Sequence, residues 1–309
     1  YNEEHAALAS HDSAIDCLLR QEFPLDEVEL VLTGREGHID EHVPPEWSRF
    51  GRVVRVSLHE SESHYWQQKN AGRDASTGAI VAWLDSDMTP EPTWLAAIAE
   101  SIEGGADVSV GPSLFRHPRF SAHSPLMLAA ASVSWGFVLA RCPEPAPCAL
   151  LAHNVAMRRS VAVSFPFPTG DRSYQSTLLY YDLRDAGARI VYTPLQRAAH
   201  AMTFAWWIKT RHFRTGYETY DARQDSRFPR PPFPHGRVLR WAEPPVLRSA
   251  VAVRDLPHWF RFRRVVGTSR LGAIATVPLV GAMSVIARVS ETAGMYASLL
   301  GRTPRSARF

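Results

Sequence analysis

Hydrophobic and polar positions follow two rhythms from the N-terminus to Gly111. Short runs of apolar or β-branched residues, Glu27–Leu32, Arg52–Ser57, Ala79–Leu84 and Asp107–Gly111, read as strands. Between them apolar residues recur one helical turn apart, over Glu4–Arg20, Glu62–Ser76 and Thr93–Glu103, the last placing Trp94, Ile98 and Ile102 on one face. Pro24 separates the first helix from the first strand, Pro92 suits the first turn of the third helix, and Gly104-Gly105 stop it. Ala79–Leu84 is apolar on both faces, the pattern of a strand buried in a parallel sheet. The alternation predicts an α/β fold with an open, mostly parallel sheet flanked by helices.

The middle of the chain is less regular. Ser124–Leu139 reads as a helix, Cys142–Cys148 as a Pro-rich turn and Asn154–Arg159 as a short strand. Tyr174–Ala186 is a helix with Leu179 and Leu183 inward and Gly187 at its end; Ala188–Thr193 is a strand closed by Pro194. Thr203–Tyr220 is expected to be helical, with Trp206 and Trp207 as packing residues and Lys209, Arg211 and Arg214 on a solvated face. A Pro/Arg-rich stretch over 226–245 reads as a linker.

Composition narrows the class. With 309 residues, 45% hydrophobic and 21% charged, the chain buries a large core. A formal charge of +3, from 34 Lys+Arg against 31 Asp+Glu, is too mild to argue for nucleic acid. The three cysteines, Cys17, Cys142 and Cys148, have no metal-ligand spacing and point to a reduced, cytoplasmic setting, with a Cys142–Cys148 bridge left open.

The most informative stretch is Asn70 to Trp94. The apolar run Ala79–Leu84 ends in Asp85-Ser86-Asp87, and Pro90 and Pro92 follow. Residues two apart on a strand point the same way, so Asp85 and Asp87 are expected to converge at a strand tip, where open α/β sheets bind ligands. Carboxylate oxygens suit Mg²⁺ or Mn²⁺, which keep positions free for phosphate oxygens. The pattern therefore implies a site for a metal-bound diphosphate.

Asn70-x-Gly72 with a second glycine at 78, the Asp-Ser-Asp run seven residues later and the Pro and Trp-Leu after it together resemble the family 2 glycosyltransferases, inverting enzymes with the GT-A fold. The opening YNEE, the run NVAMRR at Asn154–Arg159 and the segment from Asp182 to His200 resemble further parts of that family in the same order. The resemblance spans roughly 1–220, and on it the first strand is expected upstream of Tyr1. It implies sugar transfer from a nucleotide-diphosphate sugar to an acceptor hydroxyl, with a divalent cation countering charge on the leaving diphosphate. In that frame Asp87 binds the metal, Asp85 contacts the metal or the ribose, and His200 completes the coordination, which favours Mn²⁺ over Mg²⁺. Asn70, Arg73, Tyr1 and Asn2 are expected to touch the nucleotide.

Two departures stand out. No acidic residue follows the strand at Val31-Leu32-Thr33-Gly34 to read the base, and Gly170-Asp171-Arg172 stands where the family has Glu-Asp. Asp171 is the candidate general base, with Asp182 and Asp185 as rivals inside a helix. The Q-x-x-R-W run of processive synthases is absent, which favours a single addition. A nucleotidyltransferase on a related sheet, or a homologue that binds a sugar nucleotide without turning it over, are the competing readings.

The expected organisation is a nucleotide-sugar-binding catalytic domain at 1–225, the linker at 226–245 and a helical segment at 246–309. Leu271–Ala287 carries no charge and lies between Arg270 and Arg288, downstream of Trp259, Phe260, Arg261, Arg263 and Arg264. Its length is at the lower edge for a spanning helix, so crossing, lying in the interface and packing on the protein all stay open. Aromatic and arginine neighbours suit a membrane surface, the cytoplasmic face, and a lipid-linked or cell-envelope glycan acceptor. Ser290–Gly301 is expected as a separate short helix.

Overall fold

The computed structural model describes residues 14–37, 45–140, 149–169, 174–222 and 239–302. Tyr1, Asn2, Asp171, Cys142 and Cys148, and the linker as far as 238, lie outside them; Cys17 is a buried free thiol. Two compact units divide the chain. The first comprises Tyr1–Leu114, Cys142–Asp171 and Gln175–Ala201, and the second comprises Phe115–Arg141, Arg172–Tyr174 and Met202–Phe309.

In the first unit a short helix α1 (Ala14–Leu18) precedes strands β1 (Glu29–Arg35) and β2 (Arg52–Leu58), which pair in parallel. Helix α2 (Tyr65–Ala75) leads to β3 (Ile80–Leu84) and the short β4 (Met88–Pro90); helix α3 (Trp94–Glu103), β5 (Val108–Val110) and β6 (Ser113–Arg116) follow. After α4 (Pro125–Ala140), which belongs to the second unit, come β7 (Asn154–Arg158), α5 (Arg159–Ser164), α6 (Gln175–Asp185), β8 (Ile190–Tyr192) and β9 (Ala198–Ala201). A four-stranded sheet has the order β3-β7-β5-β8 and a three-stranded one β4-β9-β6.

The α/β architecture agrees with the sequence pattern, but the strand directions are more mixed than expected. β5 and β8 run parallel, while β7 is antiparallel to both β3 and β5, and β4 is antiparallel to β9. A strand returning after a long excursion carries no directional mark in its own residues. β4, β6 and β9 escaped notice because runs of three or four residues are too short to show a period.

Alternation along the strands builds two cores. On one face Val81 and Trp83, Val108 and Val110, and Val155 and Met157 pack with Trp66, Ala162, Phe167, Leu179 and Leu183. On the other, Ala156, Leu30 and Leu32 pack with Trp94, Ile98 and Ile102 of α3 and Ile15 and Leu18 of α1, with Ile80 and Leu84 against them. The sheet is thus covered on both sides, which leaves the loops at strand ends as the accessible polar surface.

The second unit is helical. A π turn, Trp207–His212, runs into α7 (Phe213–Ala222), and two long helices follow, α8 (Leu239–Val265) and α9 (Arg270–Leu299). Residues 239–245 of the expected linker are the first turns of α8. Pro244 and Pro245 lose two ladder bonds there, but their fixed φ remains helical. Ser290–Gly301 is not a separate helix, since α9 runs unbroken to Leu299 with Pro278 inside it. α7 and α9 cross at glycines: a Cβ on Gly216 would stand 1.9 Å from Glu291 O, and one on Gly294 2.0 Å from Phe213 O.

That crossing brings charges into the interior. Arg288 bonds Glu291 at 2.6 Å, Asp255 at 3.0 Å and the Val133 carbonyl at 2.8 Å, and Arg248 reaches Glu291 at 2.9 Å. His212 Nδ1 donates to Glu291 Oε1 at 2.7 Å, and its Nε2 accepts from Ser134 Oγ at 3.0 Å. Ser134 Oγ also accepts from Trp207 Nε1 at 2.9 Å, and its own hydrogen is available to the Nε2 lone pair of a neutral ring. His212 is therefore neutral, and burial lowers its pKa to about 4 despite the Glu291 bond. The expected solvated face at Lys209, Arg211 and Arg214 is only partly so. Arg214 is buried in a pair with Glu218, and Arg211 bonds the Ser134 carbonyl at 3.0 Å.

Candidate active site

β3 ends at Leu84, so Asp85 and Asp87 lie in a turn closed by the Met88 N–H on the Asp85 carbonyl at 3.0 Å. The alternation that would have aimed both carboxylates at one point stops one residue too early. Asp85 instead faces α2. It accepts from Lys69 Nζ at 2.6 Å and from Tyr65 OH at 2.8 Å. Tyr65 and Lys69 are four apart on α2 and so share a face, and the ammonium lies 4.5 Å from the Tyr65 ring centre. Burial alone would raise the Asp85 pKa; the charges of Lys69 and His153 and the bonds from Lys69 and Tyr65 hold it down to about 2. Burial, and then the Asp85 charge and bond, keep the Tyr65 phenol protonated.

Asp87 faces β9. The Met88–His200 register and the Ala201 N–H on the Asp87 carbonyl at 2.9 Å set the two segments side by side. His200 Nε2 stands 3.2 Å from Asp87 Oδ2. His200 Nδ1 lies 2.7 Å from the Ala201 carbonyl, which can only accept, so Nδ1 carries the hydrogen. In a neutral ring the Nε2 lone pair then points at a carboxylate oxygen, and that arrangement calls for a proton or a cation between them. Backbone anchoring of the far ring nitrogen is the arrangement found behind metal-ligating histidines. Two ligands at about 2.1 Å and at right angles around an ion stand about 3.0 Å apart, so the observed separation fits Mn²⁺ or Mg²⁺.

Among the described residues no group of three or more His, Cys, Asp or Glu can hold an ion. Asp85, Asp87 and His200 are thus not a closed set of three ligands. Asp87 and His200 offer two positions, and Asp85 is held back by its cationic partner with lone pairs left for a hydroxyl.

His153 extends the site. Its Nε2 is 2.8 Å from Ser113 Oγ, and its ring meets that of His200 edge-on, 5.8 Å between centres. A buried polar lattice supports this end of the sheet. Asn154 donates to the Pro112 and Gln196 carbonyls at 3.0 Å and accepts from Trp94 Nε1 at 2.8 Å, and Gln196 accepts from Ser109 at 2.6 Å. A Cβ at Gly111 would stand 1.8 Å from Gln196 O, so only glycine lets the approach to β9 pass so closely.

Asn70 and Arg73 face away from Asp85 and Asp87. Asn70 bonds Phe167 twice, Nδ2 to its carbonyl at 2.8 Å and Oδ1 from its N–H at 2.9 Å. Arg73 is buried and pairs with Asp74 at 2.7 Å, its Nη1 3.4 Å from the Ala162 carbonyl. Their positions on α2 turn them from the Tyr65–Lys69 face towards α5 and the chain after it. Tyr65, Lys69 and His153 are the residues that motif reading missed. The i, i+4 spacing of the first two, ending at the residue before Asn70, was a usable signal; nothing near His153 marks it apart from Asn154.

Comparison with known proteins bears on the fold and the family. Over 96% of this chain and 85% of the other, the fold superposes on the mannosyltransferase PcManGT of Pyrobaculum calidifontis, solved in complex with GDP-Man and Mn²⁺, with a TM-score of 0.54 and 18% identity. That likeness defines the class, an α/β protein of the GT-A type. Residues 1–162 match the model described as glycosyl transferase family 2, and the chain belongs to that family. A stretch of 105 residues is 29% identical to the glucosyl-dolichyl phosphate glucuronosyltransferase of Haloferax volcanii, covering 33% of this chain and 32% of that protein. The chain thus spans about a third of the length of that relative.

Proposed function

We propose that the protein is a metal-dependent, inverting glycosyltransferase. It moves one sugar from a nucleotide-diphosphate sugar to a hydroxyl of a lipid-linked or cell-envelope acceptor at the cytoplasmic face of a membrane. The observation that carries the reading is the Asp87–His200 pair, a carboxylate and an imidazole 3.2 Å apart with the far ring nitrogen tied to backbone. Family membership and the GDP-Man and Mn²⁺ bound to the structural relative support it.

Asp87 and His200 would hold the ion, which when bound would supply positive charge to the diphosphate leaving group. Asp85, kept ionised beside Lys69, accepts a ribose hydroxyl. His153 orients the His200 ring through its edge contact. Asp171, carried by resemblance, takes the proton of the acceptor hydroxyl as it attacks.

Nucleotide-sugars incubated with the protein and Mn²⁺ test this. Release of nucleoside diphosphate, abolished by a chelator and lost in Asp171→Asn while donor binding persists, is the expected result. Pyrophosphate release would make it a nucleotidyltransferase, and binding of donor without either product would make it a non-catalytic homologue.

A further inference from the structure

Helices α8 and α9 are inside out. Their inner faces carry Ser284, Arg288, Glu291, Arg248 and Asp255, all buried. Every exposed position of α9 from Leu271 to Ala293 is apolar. Leu271, Val285 and Val289 are 80%, 62% and 65% exposed, and Ile274, Leu279 and Ile286 lie among them. A helix on a water-facing surface shows the opposite pattern. An apolar band this long marks contact with another apolar phase.

The turn between the helices supplies the charge. A cleft of about 500 Å³ is lined by Phe260, Arg263, Arg264, Arg270 and Ile274, three guanidiniums and two apolar side chains with no acid among them. Ser269 caps α9 there by accepting from the Gly272 N–H at 3.1 Å. Guanidiniums recognise phosphate oxygens through paired donors. The arginines therefore meet phosphate at the same level at which α9 meets hydrocarbon.

We propose that α9 lies in the surface of an anionic phospholipid bilayer, its outer face in the acyl region and the arginine elbow on lipid phosphates. This deepens the membrane-side reading above. α9 does not cross. It packs along α8, which exposes Arg254, Arg261 and Arg264 to the outside, so crossing would draw those charges into hydrocarbon. A second copy is a poor occupant, since no exposed position of α9 from Leu271 to Ala293 offers an acid to the arginines.

Flotation of the full chain with phosphatidylcholine vesicles, with and without phosphatidylglycerol, tests the assignment. Binding is expected on anionic vesicles, falling with salt and about five-fold for each of Arg264→Ser and Arg270→Ser. Val285→Asp with Val289→Asp, at exposed positions, should abolish flotation with an unchanged melting temperature. Protease should reach tags at either end of the chain on intact, bound vesicles, and protection of one end would overturn the in-plane geometry. Three results would overturn the lipid assignment: no flotation at all, a dimer in light scattering that the aspartates dissolve, or stabilisation by inorganic phosphate without vesicle binding. Donor hydrolysis separates the two readings. Hydrolysis without vesicle binding removes the lipid site alone, and vesicle binding without hydrolysis removes the proposed reaction alone.

Discussion

In the first unit the side chains of Lys69, Asp85, Asp87 and His200 are 8%, 20%, 20% and 10% exposed. In the second, those of Glu291, Asp255 and Arg248 are 2%, 4% and 8% exposed. Both groups pair opposite charges, but only the first leaves an edge open. The second is closed on itself: Glu291 meets Arg248, Arg288 and His212, and Arg288 also reaches Asp255 and the Val133 carbonyl. Sealed charges fix how helices pack, and breaking one strands the rest. Charges at a loop beside a strand end stay within reach of solvent, as the proposed ion site requires.

The sharpest way to break this comparison is Asp87→Ala. Turnover with Mn²⁺ should fall on the order of a thousand-fold, the scale of losing metal-based charge stabilisation, while the melting temperature barely moves. Equal loss of stability and activity would place Asp87 with the sealed group. Glu291→Ala should do the reverse. It leaves Arg248 buried without a carboxylate and Arg288 with Asp255 alone, at a cost of about 3–5 kcal/mol in chemical denaturation, with kcat affected only through the folded fraction.

Acid sharpens the contrast. His212 is neutral in the fold with a pKa of about 4, against 6.5 when free, so between those values the unfolded chain binds the extra proton. Stability should therefore fall as pH drops from 6.5 towards 4, by at most about 3 kcal/mol. The Asp85 pair behaves differently. Its carboxyl titrates near 2 rather than 3.8, so its contribution is full at pH 4 and is lost only below that. Denaturant titrations at stepped pH read both windows, and His212→Gln should flatten the upper one. An unchanged upper slope in that variant would move the effect to another group.

Much of the first unit was legible in the chain. Ala79–Leu84 and Thr93–Glu103 match β3 and α3 within a residue, because buried strands and one-sided helices print their period directly. Direction and partner were not legible, since β7 enters antiparallel after the second unit has intervened. Asp87 and His200, read together from the sequence, lie 3.2 Å apart. Asp85 was found but aims elsewhere, because whether a strand ends at residue 84 or 86 is invisible to alternation. Asn70 and Arg73 share α2 with Lys69 but turn away from it, and a motif names residues without naming their faces. In the second unit the arginines and acids were visible, but pairs such as Asp255–Arg288, Arg248–Glu291 and His212–Glu291 join residues far apart in sequence, and the packing of α9 on both α7 and α8 brings them together.

The double hydrogen bond from Asn70 to Phe167 has a consequence for catalysis. One turn of helix carries both Lys69, which steadies the carboxylate on the donor side, and the amide that clips the backbone four residues before Asp171. In the proposed reaction, the Asp85 carboxylate and the chain leading to Asp171 are thereby hung from a single peg. If the proposed reaction holds, Asn70→Ala should leave donor binding intact and surface as slower turnover at full donor saturation.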